Sequence, residues 1–247
     1  MTVGAAEEAA IGLGDLAELT IAIYDDNREE ALSLEIELGD LGVGGVVVLP
    51  TEHRDLGDAL QAVRDHANAA VCDHVLRVHA DAEFNGAEMI EGLVAANTPG
   101  VLVTAFAADV GMDIRPHLPS IPAFIRRSQL SEDSLVVVEE LQNCCVEMLR
   151  GRPPHREAFR TPIYIERSAT INGEHALDAR IGSWQLDEVV QFPARMLGDH
   201  WADNPEEAVG QIFFAHVNLG ARRPEELFLE ALEPEPADIQ EAELHFS

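Results

Sequence analysis

The chain has 247 residues, of which 47% are hydrophobic and 25% charged, enough apolar material for one large domain or two modest ones with proper cores. Its formal net charge of -29 repels phosphate backbones and anionic lipid surfaces, which argues against a nucleic-acid or membrane-surface role. All 16 basic residues are arginine, a bias that fits a GC-rich genome or a salt-adapted proteome, or alternatively avoidance of lysine modification.

The longest apolar runs are a few residues, far short of the roughly 20 that span a bilayer. The opening MTVGAAEEAAIGLGDL is acidic where a secretory signal starts basic, so a cytoplasmic location is expected. Cys72, Cys144 and Cys145 are odd in number and two are neighbours, which argues against structural disulfides, and no zinc-ligand spacing is present.

From residue 19 onward, short β-rich runs alternate with helical patterns, the signature of a parallel sheet covered on both faces. Strands are expected at Leu19 to Tyr24, Gly45 to Leu49, Ala69 to Cys72, Gly100 to Ala105 and Ile121 to Ile125. Ala31, Leu34, Leu38 and Leu41 recur at helical spacing before the stop signal Gly42, and Leu56, Leu60 and Val63 do the same further on. Met89, Ile90, Leu93 and Val94 follow the turn pair Asn85-Gly86, and a helix capped at Ser131 or Ser134 closes the unit through Leu135, Val138, Leu141, Cys145 and Met148. Gly111, Pro116 and Pro119 interrupt the place where a fourth helix should run. The fold class expected for residues 1–150 is therefore α/β, a doubly wound five-stranded parallel sheet.

Residues 151–160, GRPPHREAFR, have the texture of a linker. Beyond them short β-type runs at Pro162 to Glu166, Ala176 to Ile181, Glu188 to Phe192, Gln211 to Leu219 and Leu227 to Leu229 predict a small, mostly antiparallel β domain over 161–233. A barrel or a sandwich fits the spacing, with one helix near Pro205 to Val209. Trp184, Phe192, Phe213 and Phe214 are its expected core or interface aromatics, and residues 234–247 read as an acidic tail. His155, His175, His200 and His216 share no ligand spacing.

In a doubly wound sheet, ligands bind beyond the carboxyl ends of the strands, so polar residues there matter most. Asp25 and Asp26 follow the first expected strand, Asp73 the third, Thr104 ends the fourth, and Arg126 and Arg127 follow the fifth. Three carboxylates at one edge repel one another unless a cation sits among them, and an oxygen-rich set suits Mg²⁺. A phosphoryl group on one carboxylate would be held by the metal, a hydroxyl and a basic side chain. The bland alternative is that individual aspartates merely cap helices, with Asp26 or Asn27 opening the first one. His74 and His79 flank the third site, where solvent-facing polar residues are the simpler reading, and the thiols of Cys144 and Cys145 read as core packing.

This order of residues resembles the receiver domain of bacterial response regulators over residues 17–150. The resemblance implies Asp25 and Asp26 as metal ligands together with Asp73 and the main-chain carbonyl of Val75, Asp73 as phosphoacceptor, Thr104 as switch hydroxyl, and Arg127 or Arg126 as the basic partner. It departs from the family where arginine stands for lysine, and where the stretch VLRVHADAEFNG is long and lacks a proline. An alternative alignment on Asn85-Gly86 places Val78 at the acceptor position.

The resemblance implies a signalling protein with Mg²⁺ as cofactor, a protein partner such as a histidine kinase, and self-association as a homodimer, without enzymatic turnover. Two alternatives stay beside it: a phosphorylation-incompetent pseudo-receiver acting as scaffold, and a Mg²⁺-dependent phosphate-ester enzyme built on the same carboxylates.

Overall fold

A computed structural model describes residues 16–49, 53–76, 82–105, 110–185 and 187–235. The chain divides into two units, one of residues 1–107 and 120–152, the other of residues 108–119 and 153–247. Val78, His79 and nearly all of the expected acidic tail lie outside the described residues.

The first unit holds five parallel strands, β1 (Thr20–Tyr24), β2 (Gly45–Val48), β3 (Ala69–Asp73), β4 (Gly100–Thr104) and β5 (Phe124–Arg126), in the order β2-β1-β3-β4-β5. They are joined by α1 (Arg28–Asp40), α2 (Leu56–His66) and α3 (Gly86–Ala95), and followed by α4 (Arg127–Glu132) and α5 (Leu135–Arg150). β3 and β4 are buried along their whole length, as strands covered on both faces must be. Ile21, Ile23, Val71, Val103 and Ile125 pack with Leu34 and Leu38 of α1 and Val137 and Leu141 of α5. On the opposite face Cys72 meets Met89 of α3, sulfur to sulfur at 3.5 Å.

Local chemistry sets the helix ends. Asn27 caps α1, its side chain accepting from the Glu29 and Glu30 N–H groups, and Gly42 takes the left-handed φ of 85° that ends it. Asp55 caps α2, and Asn85 with Glu88 forms a reciprocal capping box on α3. The closing helix differs from expectation: the chain breaks into α4 and α5, and Asp133, not Ser131 or Ser134, accepts from the Leu135 N–H. β5 also starts three residues later than expected, at Phe124, because Pro122 has no N–H to give to a ladder.

No α-helix joins β4 to β5 among the described residues. A π-helical turn at Val110–Ile114 and a 3-10 turn at Leu118–Ser120 occupy the interruption marked by Gly111, Pro116 and Pro119. Residues 108–119, expected within the first domain, cluster with the second unit.

The second unit is an antiparallel sheet of β6 (Phe159–Ile171), β7 (Glu174–Ile181), β8 (Val190–Pro193), β9 (Ile212–Val217) and β10 (Leu229–Pro234), ordered β10-β9-β6-β7-β8 and curled into a half-barrel. Burial alternates along β6 and β9, so one face packs and the other meets solvent. Asn172 and Gly173, at φ 51° and 88°, make the two-residue turn between β6 and β7. Ile163, Ile165, Leu177, Phe192 and Phe213 form the core with Trp184, whose indole N–H donates to the Ala221 carbonyl at 2.8 Å. Phe214 lies on the other face beneath the Arg160 guanidinium, 3.9 Å from the ring centre. The helix expected near Pro205 to Val209 is a 3-10 turn at Pro205–Ala208, preceded by the short α6 (Asp199–Asp203).

Arg115 holds residues 110–119 in this unit. It is buried and donates to the carbonyls of Gln191 at 2.6 Å, Pro224 at 3.1 Å and Leu227. Arg195 donates to the Met112 carbonyl at 3.3 Å, and Arg156 to that of Leu118 at 3.0 Å. Burial pushes the Arg115 pKa down to about 9, because carbonyl dipoles only partly replace the water around its charge. Among the described residues no helix is long and apolar enough to cross a membrane.

Candidate functional site

The parallel sheet brings the carboxyl ends of β1, β3 and β5 together, and with them the side chains the sequence marked. Asp25 and Asp26 leave β1, Asp73 ends β3, and one carboxylate oxygen from each lies within 4.8 Å of the others. The Asp25 and Asp73 side chains are only 9% and 11% exposed, so their charges have lost most of their water.

Main-chain donors fix both carboxylates. Asp25 Oδ1 accepts from the Asn27 N–H at 2.8 Å, and Asp73 Oδ2 from the Val75 N–H at 3.0 Å. Gly86 lets α3 begin directly behind β3, since a Cβ there would stand 2.0 Å from the Asp73 carbonyl oxygen. The Gly86 N–H donates to the His74 carbonyl, and the His74 N–H to that of Val103, so the loop leaving Asp73 is tied on both sides.

Arg127 supplies the positive charge. Its Nη2 donates to Asp25 Oδ2 at 2.9 Å and to Asp73 Oδ1, while Nη1 donates to Glu30 Oε2. Of the two candidate arginines, Arg127 reaches the carboxylates from the start of α4. Arg126 ends β5 in register with Thr104, and its main-chain N–H donates to the Gln129 side chain. Thr104 is buried at the end of β4, one residue beyond Val103, which is the register partner of Asp73. Val75 stands at the surface just after Asp73.

The electrostatics reflect this crowding. Burial raises the Asp73 pKa, Arg127 opposes part of that rise, and the like charge of Asp25 adds to it. For Arg127 burial works against the cation, but Asp73 and Asp25 more than offset it and the pKa rises. Burial, then Asp73 and Asp25, hold the Cys72 thiol well above its ordinary range, which makes it inert as a nucleophile.

Three carboxylates at this spacing offer the oxygen ligands that Mg²⁺ prefers, and the residues fit that ion. Arg127 already pairs with two of the same three groups, so a metal bound there would share their negative charge with the guanidinium.

Glu30 belongs to the site and sequence reasoning missed it. The signal was there: Asn27 and Glu30 are spaced as a capping pair, and the Asn27 side-chain amide donates to Glu30 Oε1 at 2.8 Å. The plain reading of Asn27 as a helix cap is correct, and that cap positions the carboxylate on which Arg127 leans.

A small pocket opens over the site, its polar wall formed by Asp25, Glu30, Asp73 and Arg127 and its apolar wall by Val71, Val103 and Leu130. Three carboxylates against one guanidinium leave the polar wall net negative, which suits a cation.

No family model matches the sequence, and no curated relative matches it. Among solved structures, the chain is similar to an uncharacterized protein from Neptuniibacter caesariensis, at 21% identity over 55% of this chain and 97% of that one, with a TM-score of 0.41. It is also similar to the phosphorylated cyanobacterial phytochrome response regulator RcpA, at 16% identity over 55% of this chain and 96% of that one, with a TM-score of 0.34. Superpositions this loose carry no argument about chemistry. The chain's own sheet does: it is a five-stranded parallel sheet with an aspartate cluster at its carboxyl edge.

Proposed function

We propose that this chain is a receiver-like regulatory protein in which Asp73 accepts a phosphoryl group and the second unit passes that state to a protein partner. The observation that carries this reading is the cluster itself: Asp25, Asp26 and Asp73 converge within 4.8 Å at the carboxyl edge of a sheet in the order β2-β1-β3-β4-β5. An Asp73 carboxylate oxygen attacks the phosphorus of an acyl-phosphate or phosphohistidine donor, a phosphorus–oxygen bond forms, and the donor's phosphorus–oxygen or phosphorus–nitrogen bond breaks with its electron pair leaving on the donor.

Asp25, Asp26, Asp73 and the Val75 carbonyl would hold Mg²⁺, which would supply positive charge to the transferred oxygens. Arg127 moves from pairing with the free carboxylate to pairing with the phosphoryl oxygens, and the Thr104 hydroxyl is the donor for one of them. The transfer is stoichiometric, so the chain acts as a relay and not as a turnover enzyme. A net charge of -29 favours protein partners, among them a kinase donor and a second copy of the chain, over nucleic acid or a membrane.

A second reading rests on Arg127. Its guanidinium already bridges Asp25 and Asp73, so two of the three clustered carboxylates have a cationic partner without metal or phosphate, as suits a pseudo-receiver kept as a scaffold. Calorimetry with Mg²⁺ and beryllofluoride separates the two. The phospho-receiver predicts saturable binding that Asp73→Ala abolishes, whereas no binding at millimolar Mg²⁺, or unchanged binding in the variant, leaves the scaffold.

A further inference from the structure

Each of the two sheets ends in two edge strands, and an unguarded edge invites another strand to pair with it. Three of these four edges are blunted. β5 is three residues long, follows Pro122 closely and ends in Arg126. On β8 the Gln191 carbonyl accepts from Arg115, and the strand ends in Pro193. β10 carries an irregularity between Glu230 and Glu233, with Ala231 at φ 52°, and ends in Pro234. β2 has none of these devices: the run Gly45-Val46-Val47-Val48 contains no charge, proline or bulge, and it stands last in the order β2-β1-β3-β4-β5.

The ladder decides which groups of β2 face outward. The Gly45 N–H donates to the Leu19 carbonyl at 3.0 Å, and the Leu49 N–H to that of Ile23 at 3.0 Å. Successive residues of a strand turn their polar groups to alternate sides, so Gly45, Val47 and Leu49 face β1 while Val46 and Val48 present N–H and C=O to the open side. Among the described residues no strand pairs there.

α1 borders this edge with a stripe of mixed character. Arg28, Leu32, Glu35 and Gly39 are spaced four, three and four residues apart, which lines them along one side of the helix. That side lies opposite Glu30, which leans toward Arg127 and hence toward β5, so the stripe lies on the β2 side. Leu32 is 39% exposed, and Ile36 beside it 66%.

We propose that the β2 edge is a self-association face, on which β2 of a second copy pairs antiparallel about a twofold axis at Val47. Val46 of one copy then stands opposite Val48 of the other, and each such pair exchanges two main-chain hydrogen bonds. The same axis sets the two α1 helices antiparallel, so Arg28 of each copy meets Glu35 of the other, with Leu32 between the two charge pairs and Ile36 beside it. This stripe complements its own reverse, which selects a second copy over an unrelated strand, while the net charge of -29 opposes contact between copies elsewhere on the surface. The proposal goes beyond the phosphoryl reading: neither Asp73 nor a metal enters it, and its test uses neither.

Sedimentation equilibrium on the full chain from micromolar to millimolar concentration, with amide hydrogen exchange read by NMR on the same samples, tests it. The expected result is a monomer–dimer equilibrium in which the Val46 and Val48 amides exchange more slowly as dimer forms, while Val47, already bonded to β1, changes little. Arg28→Glu and Glu35→Arg each set like charges against one another and weaken the dimer by about fivefold or more, and the double reversal restores it. A glutamate in the first turn of α1 suits the helix dipole, so Arg28→Glu is expected to fold. A chain that stays monomeric overturns the proposal, whether its Val46 amide exchanges freely or is already covered by another part of the chain. A dimer that the single reversals leave unchanged, or that the double reversal fails to restore, overturns it as well and places the contact on another face.

Discussion

Two arginines, Arg127 half-buried and Arg115 buried, sit in opposite electrostatic surroundings. Arg127 sits among carboxylates at the edge of the parallel sheet, and its charge is favoured by Asp73 and Asp25 despite burial. Arg115 sits among main-chain carbonyls in the second unit, and burial drives its pKa down to about 9. A guanidinium that faces anions can be exchanged for another cation or turned toward a new anion, so its site can change state. One that faces carbonyl dipoles has nothing to exchange with and serves as a fixed pin.

The largest expected effect breaks the pin. Arg115→Ala takes the donor from three carbonyls, one of them buried and two half-buried, and at about 1–3 kcal/mol for a buried unsatisfied group and less for the others the second unit should lose about 2–3 kcal/mol. Chemical denaturation followed by Trp184 and Trp201 fluorescence measures it, and Mg²⁺ should restore nothing.

Arg127→Met should cost about 2 kcal/mol at neutral pH, because Asp25 and Asp73 then face each other unbalanced. Here the two arginines should part company: millimolar Mg²⁺ should recover most of the loss, since an ion can take the guanidinium's place among the carboxylates. A loss that Mg²⁺ leaves untouched would put both arginines in the same structural class.

Features with local signals were legible in the sequence. The five parallel strands were, because β1, β3 and β4 are short runs of buried apolar residues between helical patterns. The gathering of Asp25, Asp26 and Asp73 was as well, since a parallel sheet brings its strand ends to one edge whatever the intervening loops do. The course of residues 110–119 was not: Gly111, Pro116 and Pro119 announced that no α-helix forms, but nothing local says that Arg115 is to be held by Gln191, 76 residues away. Nor does periodicity choose between Arg126 and Arg127, because that choice depends on the residue at which β5 ends and α4 begins.

The connectivity has a consequence for cleavage. A single cut within 151–160, the stretch that reads as a linker, leaves residues 108–119 attached to the first unit's chain while they pack in the second. The two fragments should therefore co-elute on native gel filtration and separate only in denaturant; separation under native conditions would show that residues 110–119 are held weakly in the second unit.

A smaller effect concerns pH. A carboxyl whose folded-state pKa is raised holds its proton to higher pH in the fold than in the unfolded chain, so its ionisation costs stability above the raised value and the cost fades as pH falls toward the ordinary carboxylate range. Asp73 is such a group, with burial the main cause. Asp73→Asn should then melt higher than the wild type at pH 7, by about 2–4 °C if the relief is about 1 kcal/mol. The advantage should narrow toward pH 4. An equal or larger advantage at low pH would contradict the assignment of burial as the dominant influence.

The central claim is that Asp73 takes a phosphoryl group, and intact-protein mass spectrometry after incubation with an acyl phosphate and Mg²⁺ tests it most directly. The account predicts one added phosphoryl group on the wild type, located on the peptide that carries Asp73, absent without Mg²⁺ and absent in Asp73→Ala. A wild-type mass that never changes, or an adduct that survives Asp73→Ala, would contradict it.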